Sequence, residues 1–263
     1  MFGTVIGDIA GSRFEFSRRK PEEGFELFTP RCCYTDDTVL TAAVCLALME
    51  SEPGDDAGLK RNVRLRLQEF GRMYPYAGYG GAFIEWIDSL GLPYNSFGNG
   101  AGMRVAPVAW VASSVDEVLR LADIVTGVTH NHPEGLKGGR AVALSAYLAR
   151  KGEKKETIRR EIRQRFYPLD FTLEEIRDTY QPSVTCQGSV PQAIEAFLEA
   201  DSFESAVRSA IMLGGDTDTL AAMAGSMAEA YFGVPVELKG KALSYLDERL
   251  ADILIDFEQK YQQ

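Results

Sequence analysis

The stretch LGGDTDTLAAMAGSMAEAYFG, residues 213–233, decides the fold of this chain. After Leu213 it has two glycines and a cluster of Asp and Thr side chains, Asp216 to Thr219, and it then stays almost entirely small or apolar. A helix that is apolar on nearly all sides is a buried helix. The stretch therefore predicts a buried helix whose N-terminal end is polar and acidic.

A second stretch, CYTDDTVLTAAVCLALME at residues 33–50, repeats this arrangement. Helix capping is the simplest explanation, because Asp and Thr are good N-caps and the helix dipole favours a carboxylate in the first turn by roughly 0.3–1 kcal/mol. One cap needs only one side chain, however, whereas each cluster offers two carboxylates and two hydroxyls. Paired carboxylates at a buried helix end need cations or protons. We therefore expect a metal site, with capped helices and no metal as the alternative.

The composition indicates a globular protein whose main partner is neither a membrane nor a nucleic acid. The 263 residues carry a net charge of −10, and 45% of them are hydrophobic. A strongly negative charge argues against a nucleic-acid backbone or an anionic membrane as the main partner. No segment is long and apolar enough to span a bilayer, and the N-terminus lacks the basic region of a signal peptide.

The cysteines and histidines narrow the expected location and metal. The four cysteines form no CxxC pair, so we expect a reducing cytoplasm and no disulfide framework. The only histidines are His130 and His132, which makes a zinc site hard to assemble. Ligands drawn from the two Asp/Thr clusters are all oxygen atoms, and oxygen ligands favour Mg²⁺, Mn²⁺ or Ca²⁺.

Most of the chain predicts helix, and we expect a compact all-α fold with a single domain over residues 1–263. Apolar periodicity, or a run of small and apolar residues, predicts helices at residues 36–50, 61–73, 81–90, 103–112, 115–127, 137–150, 155–166, 188–200, 203–213, 217–232 and 239–258. Loops on a rigid helical body are where functional sites tend to lie. The glycine-containing stretches expected to be such loops are residues 7–16, 74–81, 94–104 and 129–135.

These stretches and the two acidic clusters together resemble the ADP-ribosylglycohydrolase family. The resemblance covers nearly the whole chain through GDxxGSxxE from Gly7, TDDT from Thr35, GNGxxMRxxP from Gly98, the Thr129-His130 pair and GGDTDT from Gly214. TDDT paired with a distant GDTDT is the specific part. The family includes enzymes that remove ADP-ribosyl groups and also the non-catalytic J1 crystallins. The resemblance implies an all-α fold with two adjacent Mg²⁺ or Mn²⁺ ions in a central cleft.

The resemblance also implies a set of metal ligands. They are Thr35, Asp36 and Asp37 from the first cluster, and Asp216, Asp218 and Thr219 from the second. The charges agree with this expectation, because four aspartates cancel the formal charge of two divalent ions. Adjacent residues at a helix end point in different directions, so that one pair of carboxylates can reach two ions.

Further residues match the family's substrate and catalytic positions. Glu15 matches a glutamate near the metals, and we expect it to assist proton transfer to the leaving group. Burial by the flanking aromatics is expected to raise its pKa. The alternative is a surface glutamate. Asp36 or Asp37 is expected to orient the attacking water. The residues expected to contact ADP-ribose are Phe97, Gly98, Asn99, Gly100, Ala101, Met103 and His130.

Some of these positions have structural alternatives. Phe97 matches an aromatic that stacks on adenine, but it equally fits a core residue beside a tight turn. His130 matches a histidine near the ribose and diphosphate, with a loop histidine as the alternative. Arg104 fits a phosphate ligand or a salt bridge on a helix face. The stretches 131–135 and 74–81 depart from the family pattern and put the acceptor specificity in doubt.

We therefore expect a two-metal hydrolase that cleaves the ribose C1″ glycosidic bond of an ADP-ribosylated protein or small molecule. A phosphohydrolase or nucleotide hydrolase that uses the same centre is one alternative. A non-catalytic ADP-ribose-binding protein of the crystallin kind is another. The sequence leaves open the acceptor atom, the general base and the oligomeric state.

Overall fold

Two helices rich in glycine and alanine, α1 (Phe2–Ser12) and α13 (Thr217–Phe232), lie against each other in the core. The computed structural model describes residues 1–17 and 19–261. Within these ranges the chain forms helices and no sheet, apart from an isolated bridge between Gly98 and Thr185. The other helices are α2 (Asp36–Met49), α3 (Asp56–Met73), α4 (Gly81–Ile87), α5 (Gly100–Met103), α6 (Val108–Val111), α7 (Val115–Gly127), α8 (Pro133–Arg150), α9 (Lys155–Arg165), α10 (Leu173–Ile176), α11 (Cys186–Glu199), α12 (Phe203–Leu213), α14 (Val236–Leu243) and α15 (Glu248–Tyr261).

Glycines let the backbones of α1 and α13 touch. Gly3, Gly7 and Gly11 are four residues apart and lie on one face of α1. A Cβ atom on Gly7 would lie 2.1 Å from the carbonyl oxygen of Ala221, and one on Gly3 would lie 2.2 Å from that of Gly225. The prediction of a loop from residue 7 was therefore wrong as far as Ser12, because close packing of two backbones outweighs the poor helix propensity of glycine.

The remaining helices enclose this pair and confirm the expected all-α class. α12 and α11 pack on α13, while α2 is covered by α3 and α15. The predicted helix at 217–232 is confirmed at both ends, and the one at 36–50 ends one residue earlier, at Met49. The stretch 103–112 was predicted as one helix, but α5 ends at Met103 and α6 begins only at Val108, with Pro107 at its N-cap.

The stretch 239–258 was also predicted as one helix, and it forms α14 and α15 instead. Asp247 explains the break, because its carboxylate accepts a hydrogen bond from the backbone N–H of Leu250 at 3.0 Å. That is the bond made by an N-cap, and it starts a new helix. The same carboxylate accepts hydrogen bonds from the hydroxyls of Tyr34 and Tyr74, both at 3.2 Å.

Two further observations concern the apolar helices and the cysteines. None of the helices within the described ranges has the combination of length and apolarity that crossing a bilayer requires. The cysteines Cys32, Cys33, Cys45 and Cys186 are free thiols.

Candidate functional site

A cleft of about 390 Å³ opens where the N-terminal ends of α2 and α13 meet. Acidic side chains line part of it, and the glycine-rich stretches at 78–82 and 98–100 line other parts. Of the residues predicted for the site, those that line the cleft are Glu15, Asp36, Gly98, Asn99, Gly100, Met103, His130, Asp216, Asp218 and Thr219. The fold thus brings most of the predicted site to one place.

The acidic side chains form a tight cluster beneath the cleft. One carboxylate oxygen from each of Asp8, Asp37 and Asp218 lies within 4.8 Å of the others, and the same holds for Glu15, Asp216 and Asp218. Asp37 is buried, and its Oδ1 atom has no hydrogen-bond partner among the described residues. Its Oδ2 atom accepts a hydrogen bond from the hydroxyl of Thr219 at 3.1 Å. The two sequence clusters therefore meet in space.

Helix capping explains only a small part of this cluster. The hydroxyl of Thr35 accepts a hydrogen bond from the backbone N–H of Asp37 at 3.4 Å, so Thr35 is the N-cap of α2. Asp216 occupies the N-cap position of α13 but makes no capping bond with its side chain. Its carboxylate instead accepts a hydrogen bond from the side chain of Asn99 at 2.6 Å. Capping leaves the concentration of carboxylates unexplained.

Burial and mutual repulsion raise the pKa values of these carboxyl groups. Burial, assisted by the charges of Asp8 and Asp216, raises the pKa of Asp36 to about 8. Burial first and neighbouring carboxylates second raise the pKa values of Asp37 and Asp218 well above their ordinary range. Such a group of carboxylates cannot be fully ionised without cations. The unpartnered Asp37 oxygen and the all-oxygen donor set fit divalent ions of the Mg²⁺ or Mn²⁺ type.

Glu15 lies on the turn that follows α1, at the edge of the cluster. The backbone N–H of Phe16 donates a hydrogen bond to the carbonyl of Gly215 at 2.8 Å, which ties this turn to the loop before Asp216. Partial burial and the charge of Asp216 raise the pKa of Glu15, in the direction expected from the sequence. Burial is the cause expected from the sequence, although Phe16 is 51% exposed and gives little of the cover itself.

Asp8 belongs to the cluster, although it was not among the site residues predicted from the sequence. It is fully buried on α1, and its carboxylate accepts hydrogen bonds from the backbone N–H groups of Thr35 and Thr38, at 2.9 and 3.1 Å, and from both of their hydroxyls. Asp8 thereby orients the first turn of α2. The available signal was a single carboxylate within an otherwise small and apolar segment, because a buried carboxylate needs partners.

The glycine loop at 98–100 packs against His130. A Cβ atom on Gly100 would lie 3.1 Å from the Nε2 atom of His130, and one on Gly98 would lie 3.5 Å from it. The backbone N–H of Asn99 donates a hydrogen bond to the carbonyl of Val184 at 2.9 Å, which holds the loop against the segment before α11. Ala101, predicted to contact the substrate, is fully buried and does not line the cleft.

The comparison with known proteins agrees with this geometry. The sequence model of the ADP-ribosylglycohydrolase family matches residues 1–262. The chain belongs to the ADP-ribosylglycohydrolase family.

Individual relatives and a solved structure are similar to this chain. ADP-ribosylhydrolase ARH3 of Homo sapiens is 28% identical over 308 residues, covering 88% of this chain and 84% of the relative. ADP-ribosylarginine hydrolase Tri1 of Pseudomonas putida (strain GB-1) is 28% identical over 288 residues, covering 97% of this chain and 76% of the relative. A solved structure described as an ADP-ribosylglycohydrolase-related protein complex has the same fold, with a TM-score of 0.71, 24% identity, and coverage of 98% of this chain and 95% of that one.

Of the two departures from the family pattern, the stretch 74–81 contributes Gly78, Gly80 and Gly81 to the lining of the cleft, whereas the stretch 131–135 contributes no lining residue. The Oδ1 atom of Asn131 accepts a hydrogen bond from the backbone N–H of Asn95 at 2.7 Å, and His132 caps α8 by accepting one from the N–H of Glu134 at 3.1 Å. The stretch 74–81 contacts the first acidic cluster, because the N–H of Asp36 donates to the carbonyl of Ala77 at 2.8 Å.

Phe97, predicted to stack on adenine, and Tyr76 and Tyr79 of the stretch 74–81 lie in different surroundings. Phe97 is 43% exposed and sits outside the lining of the cleft, with its ring centroid 5.2 Å from that of His132. Stacking on adenine stays a prediction for Phe97. Tyr79 is buried with its ring against Phe83, whereas Tyr76 is almost fully exposed.

Arg104 lines the cleft, so its contact with a phosphate stays a prediction. It is not on a helix face but at the end of α5, where only 1% of it is exposed. Its Nη2 atom donates a hydrogen bond to the hydroxyl of Thr129 and lies 3.3 Å from the Nδ1 atom of His130. Within the described ranges it forms no salt bridge.

Proposed function

We propose that this chain is a divalent-cation-dependent hydrolase that cleaves the glycosidic bond at ribose C1″ and releases ADP-ribose from a modified protein or small molecule. The observation that carries the proposal is the buried cluster of carboxylates at the cleft, joined there by the glycine loop and His130. Membership of the ADP-ribosylglycohydrolase family supports the same activity.

Three of the six residues predicted as ligands from the family resemblance, Asp37, Asp216 and Asp218, belong to the cluster, which supports the predicted set. Two Mg²⁺ or Mn²⁺ ions would be held by Thr35, Asp36, Asp37, Asp216, Asp218 and Thr219. When bound, such ions supply Lewis acidity and increase the acidity of water. Asp8 is not in this predicted set, and its carboxylate accepts four hydrogen bonds from Thr35 and Thr38. Its part is to hold the first turn of α2 in place.

The remaining residues have separate tasks in the reaction. Glu15, whose pKa is raised, gives a proton to the leaving group at the edge of the cluster. Asp36 or Asp37 orients the attacking water. The transition state of such a hydrolysis resembles an oxocarbenium ion, and nearby carboxylates stabilise its positive charge. The backbone of the glycine loop can approach phosphate oxygens closely, because Gly98 and Gly100 carry no Cβ atom there.

The substrate is defined here only as far as the ADP-ribosyl group. The names of the two relatives differ in whether they state an acceptor, since one is called an ADP-ribosylarginine hydrolase and the other an ADP-ribosylhydrolase. Arginine, serine, a nucleic-acid end and a small molecule are therefore all acceptors to be tried. We also propose a reducing compartment such as the cytoplasm, which agrees with the free thiols.

A panel of ADP-ribosylated substrates assayed with Mg²⁺ tests the proposal. The panel contains arginine-linked, serine-linked, nucleic-acid-linked and small-molecule conjugates, and the readouts are free ADP-ribose and inorganic phosphate. We expect ADP-ribose from at least one class, and its loss on chelation. Phosphate in place of ADP-ribose would favour a two-metal phosphohydrolase. Tight ADP-ribose binding without turnover on any substrate would favour a non-catalytic binding protein.

A further inference from the structure

A buried guanidinium lies directly behind His130. The Nη2 atom of Arg104 donates a hydrogen bond to the hydroxyl of Thr129, and the same atom lies 3.3 Å from the Nδ1 atom of His130. The Thr129 hydroxyl lies 2.7 Å from that Nδ1 atom as well. All three side chains are buried. His130 therefore meets two possible hydrogen-bond donors on the Nδ1 side of its ring.

The chemistry of these donors favours one position for the proton of the imidazole. A guanidinium N–H can only donate, and its positive charge beside Nδ1 favours a lone pair there over a second N–H. The Thr129 hydroxyl accepts from Arg104, which leaves its own hydrogen free to be donated to Nδ1. The one N–H of a neutral imidazole is then favoured at Nε2.

The surroundings also keep the ring neutral. Burial first, and the positive charge of Arg104 second, lower the pKa of His130 well below its ordinary value. The ring therefore presents one donor and no net charge at neutral pH.

The Nε2 atom faces the glycine loop. Cβ atoms built on Gly100 and Gly98 would lie 3.1 and 3.5 Å from it, and His130 lines the cleft. In the described part of the chain, no residue accepts a hydrogen bond from Nε2. An N–H donor without a protein partner thus lies beside a loop whose backbone a ligand can approach closely.

We propose that Arg104 and Thr129 are positioning residues that fix His130 as the Nε2–H tautomer, so that it donates a hydrogen bond to an anionic oxygen of the ligand on the glycine loop. The part that concerns the ligand rests on the proposed function. The part that concerns the tautomer does not, because the tautomer is set by protein atoms alone. The two parts can therefore fail separately.

Nuclear magnetic resonance of the protein labelled with ¹⁵N-histidine tests the tautomer without a ligand. The chain has only two histidines, and a His132→Asn variant assigns their signals while keeping a good N-cap residue at the start of α8. We expect His130 to show a protonated Nε2 and an unprotonated Nδ1 throughout the neutral pH range. A proton on Nδ1, or on both nitrogens, would overturn the proposal.

Two threonine variants test the positioning role. Thr129→Val removes the hydroxyl between Arg104 and His130 but keeps the β-branched shape. Thr126→Val is the matched control, because the Thr126 hydroxyl is also buried and has no hydrogen-bond partner within the described ranges. We expect Thr129→Val to give a mixture of tautomers and about 10-fold weaker ADP-ribose binding, whereas Thr126→Val changes neither. A folded Thr129→Val protein with the original tautomer and affinity would overturn the role of Thr129.

Titration of the labelled protein with ADP-ribose tests the part that concerns the ligand. The Nε2–H signal of His130 should shift on binding, since it gains an acceptor. If ADP-ribose binds and that signal stays in place, the hydrogen bond to the ligand is wrong even where the tautomer is right. If ADP-ribose does not bind at all, the proposed function fails, and the tautomer result still stands on its own.

Discussion

Asp8 and Asp218 lie in the same acidic cluster but differ in their hydrogen bonds. Asp8 accepts four, from the N–H groups and hydroxyls of Thr35 and Thr38. Asp218 accepts one, from the N–H of Thr219 at 2.9 Å. Substitution of either residue by Asn removes one negative charge and leaves the size nearly unchanged. The two substitutions should nevertheless change stability in opposite directions.

We expect Asp218→Asn to impair metal binding and turnover together. The substitution removes a predicted ligand, and losing even a group that supports a ligand typically costs 10–100-fold, so ADP-ribose release should fall by at least about 100-fold. The chelated protein should become more stable, because repulsion from Asp37 and Asp216 is relieved. Calorimetry with Mn²⁺, the ADP-ribose assay and thermal unfolding measure the three effects. Unchanged metal affinity and turnover would favour the capping explanation.

Asp8→Asn should instead destabilise the chelated protein. The amide NH₂ group would face hydroxyl and N–H donors in a fully buried site, and a buried polar group without its partner costs about 1–3 kcal/mol. Urea denaturation in the presence of a chelator measures this, with Asp218→Asn as the matched comparison. A stability gain of the kind expected for Asp218→Asn would show that Asp8 acts through its charge and not through its hydrogen bonds.

At this scale the sequence revealed the paired carboxylates and missed the residues that support them. Asp36, Asp37, Asp216 and Asp218 could be recognised because each pair exceeds what a helix cap needs. Asp8 and Thr129 lie in the quoted motifs, but their roles rest on hydrogen bonds to residues of other elements, which only the fold reveals. Arg104 was expected at a phosphate or on a helix face, and only the fold shows that it lies behind His130.

The contact between α1 and α13 positions the cluster at the level of elements. Asp8 projects from α1 and Asp218 from the first turn of α13, so the separation of these two helices fixes the separation of their carboxylates. The glycines of α1 allow this separation to be small. A side chain at Gly7 should therefore affect stability and the metal site at the same time.

We expect Gly7→Ala to destabilise the protein by about 1–3 kcal/mol and to weaken Mn²⁺ binding. The new methyl group would lie 2.1 Å from the carbonyl oxygen of Ala221, which is backbone and can move only if α1 moves. Gly240→Ala is the matched control, since Gly240 lies inside α14 with no atom within 4 Å of the added carbon. It should stabilise the protein by about 0.5–1 kcal/mol. Equal effects of the two substitutions in urea denaturation would contradict the close-packing explanation.

Helices with one strong apolar pattern along their sequence could be predicted. Helices whose formation or ends depend on tertiary contacts could not. The helix at 217–232 is apolar over nearly its whole length, and it forms as expected. α1 could not be predicted, because glycines are typical of loops and only the tertiary contact with the backbone of α13 explains why they are found in a helix here. The break between α14 and α15 is marked by Asp247, which looks like one more exposed charge in the sequence but acts as an N-cap.

The acidic cluster joins α1, α2 and α13, so its charge state affects the stability of the whole molecule. The pKa of Asp36 is about 8 in the folded chain, compared with about 3.9 for an unfolded aspartate. The folded state therefore binds more protons than the unfolded state between these values. Stability that is present at low pH is then lost as the pH rises through the folded pKa.

We expect the chelated protein to show a falling melting temperature as the pH rises from about 5 to about 8. Mn²⁺ should remove most of this decline, because the ions neutralise the carboxylates in place of protons. Thermal unfolding in matched buffers with chelator or with Mn²⁺ measures both curves. A melting temperature of the chelated protein that rises over this range would contradict the assignment of the cluster as a set of carboxylates with raised pKa values.

Product analysis of one hydrolysis reaction tests the central claim most directly. The protein is incubated with an ADP-ribosylated peptide in Mg²⁺, alongside a chelated sample and the Asp218→Asn variant, and all products are identified by mass spectrometry. We predict free ADP-ribose and the unmodified peptide, formed only by the unaltered protein with Mg²⁺. AMP or inorganic phosphate, with a ribosyl remnant left on the peptide, would contradict cleavage at ribose C1″, and equal ADP-ribose release by the chelated sample would contradict a metal-dependent site.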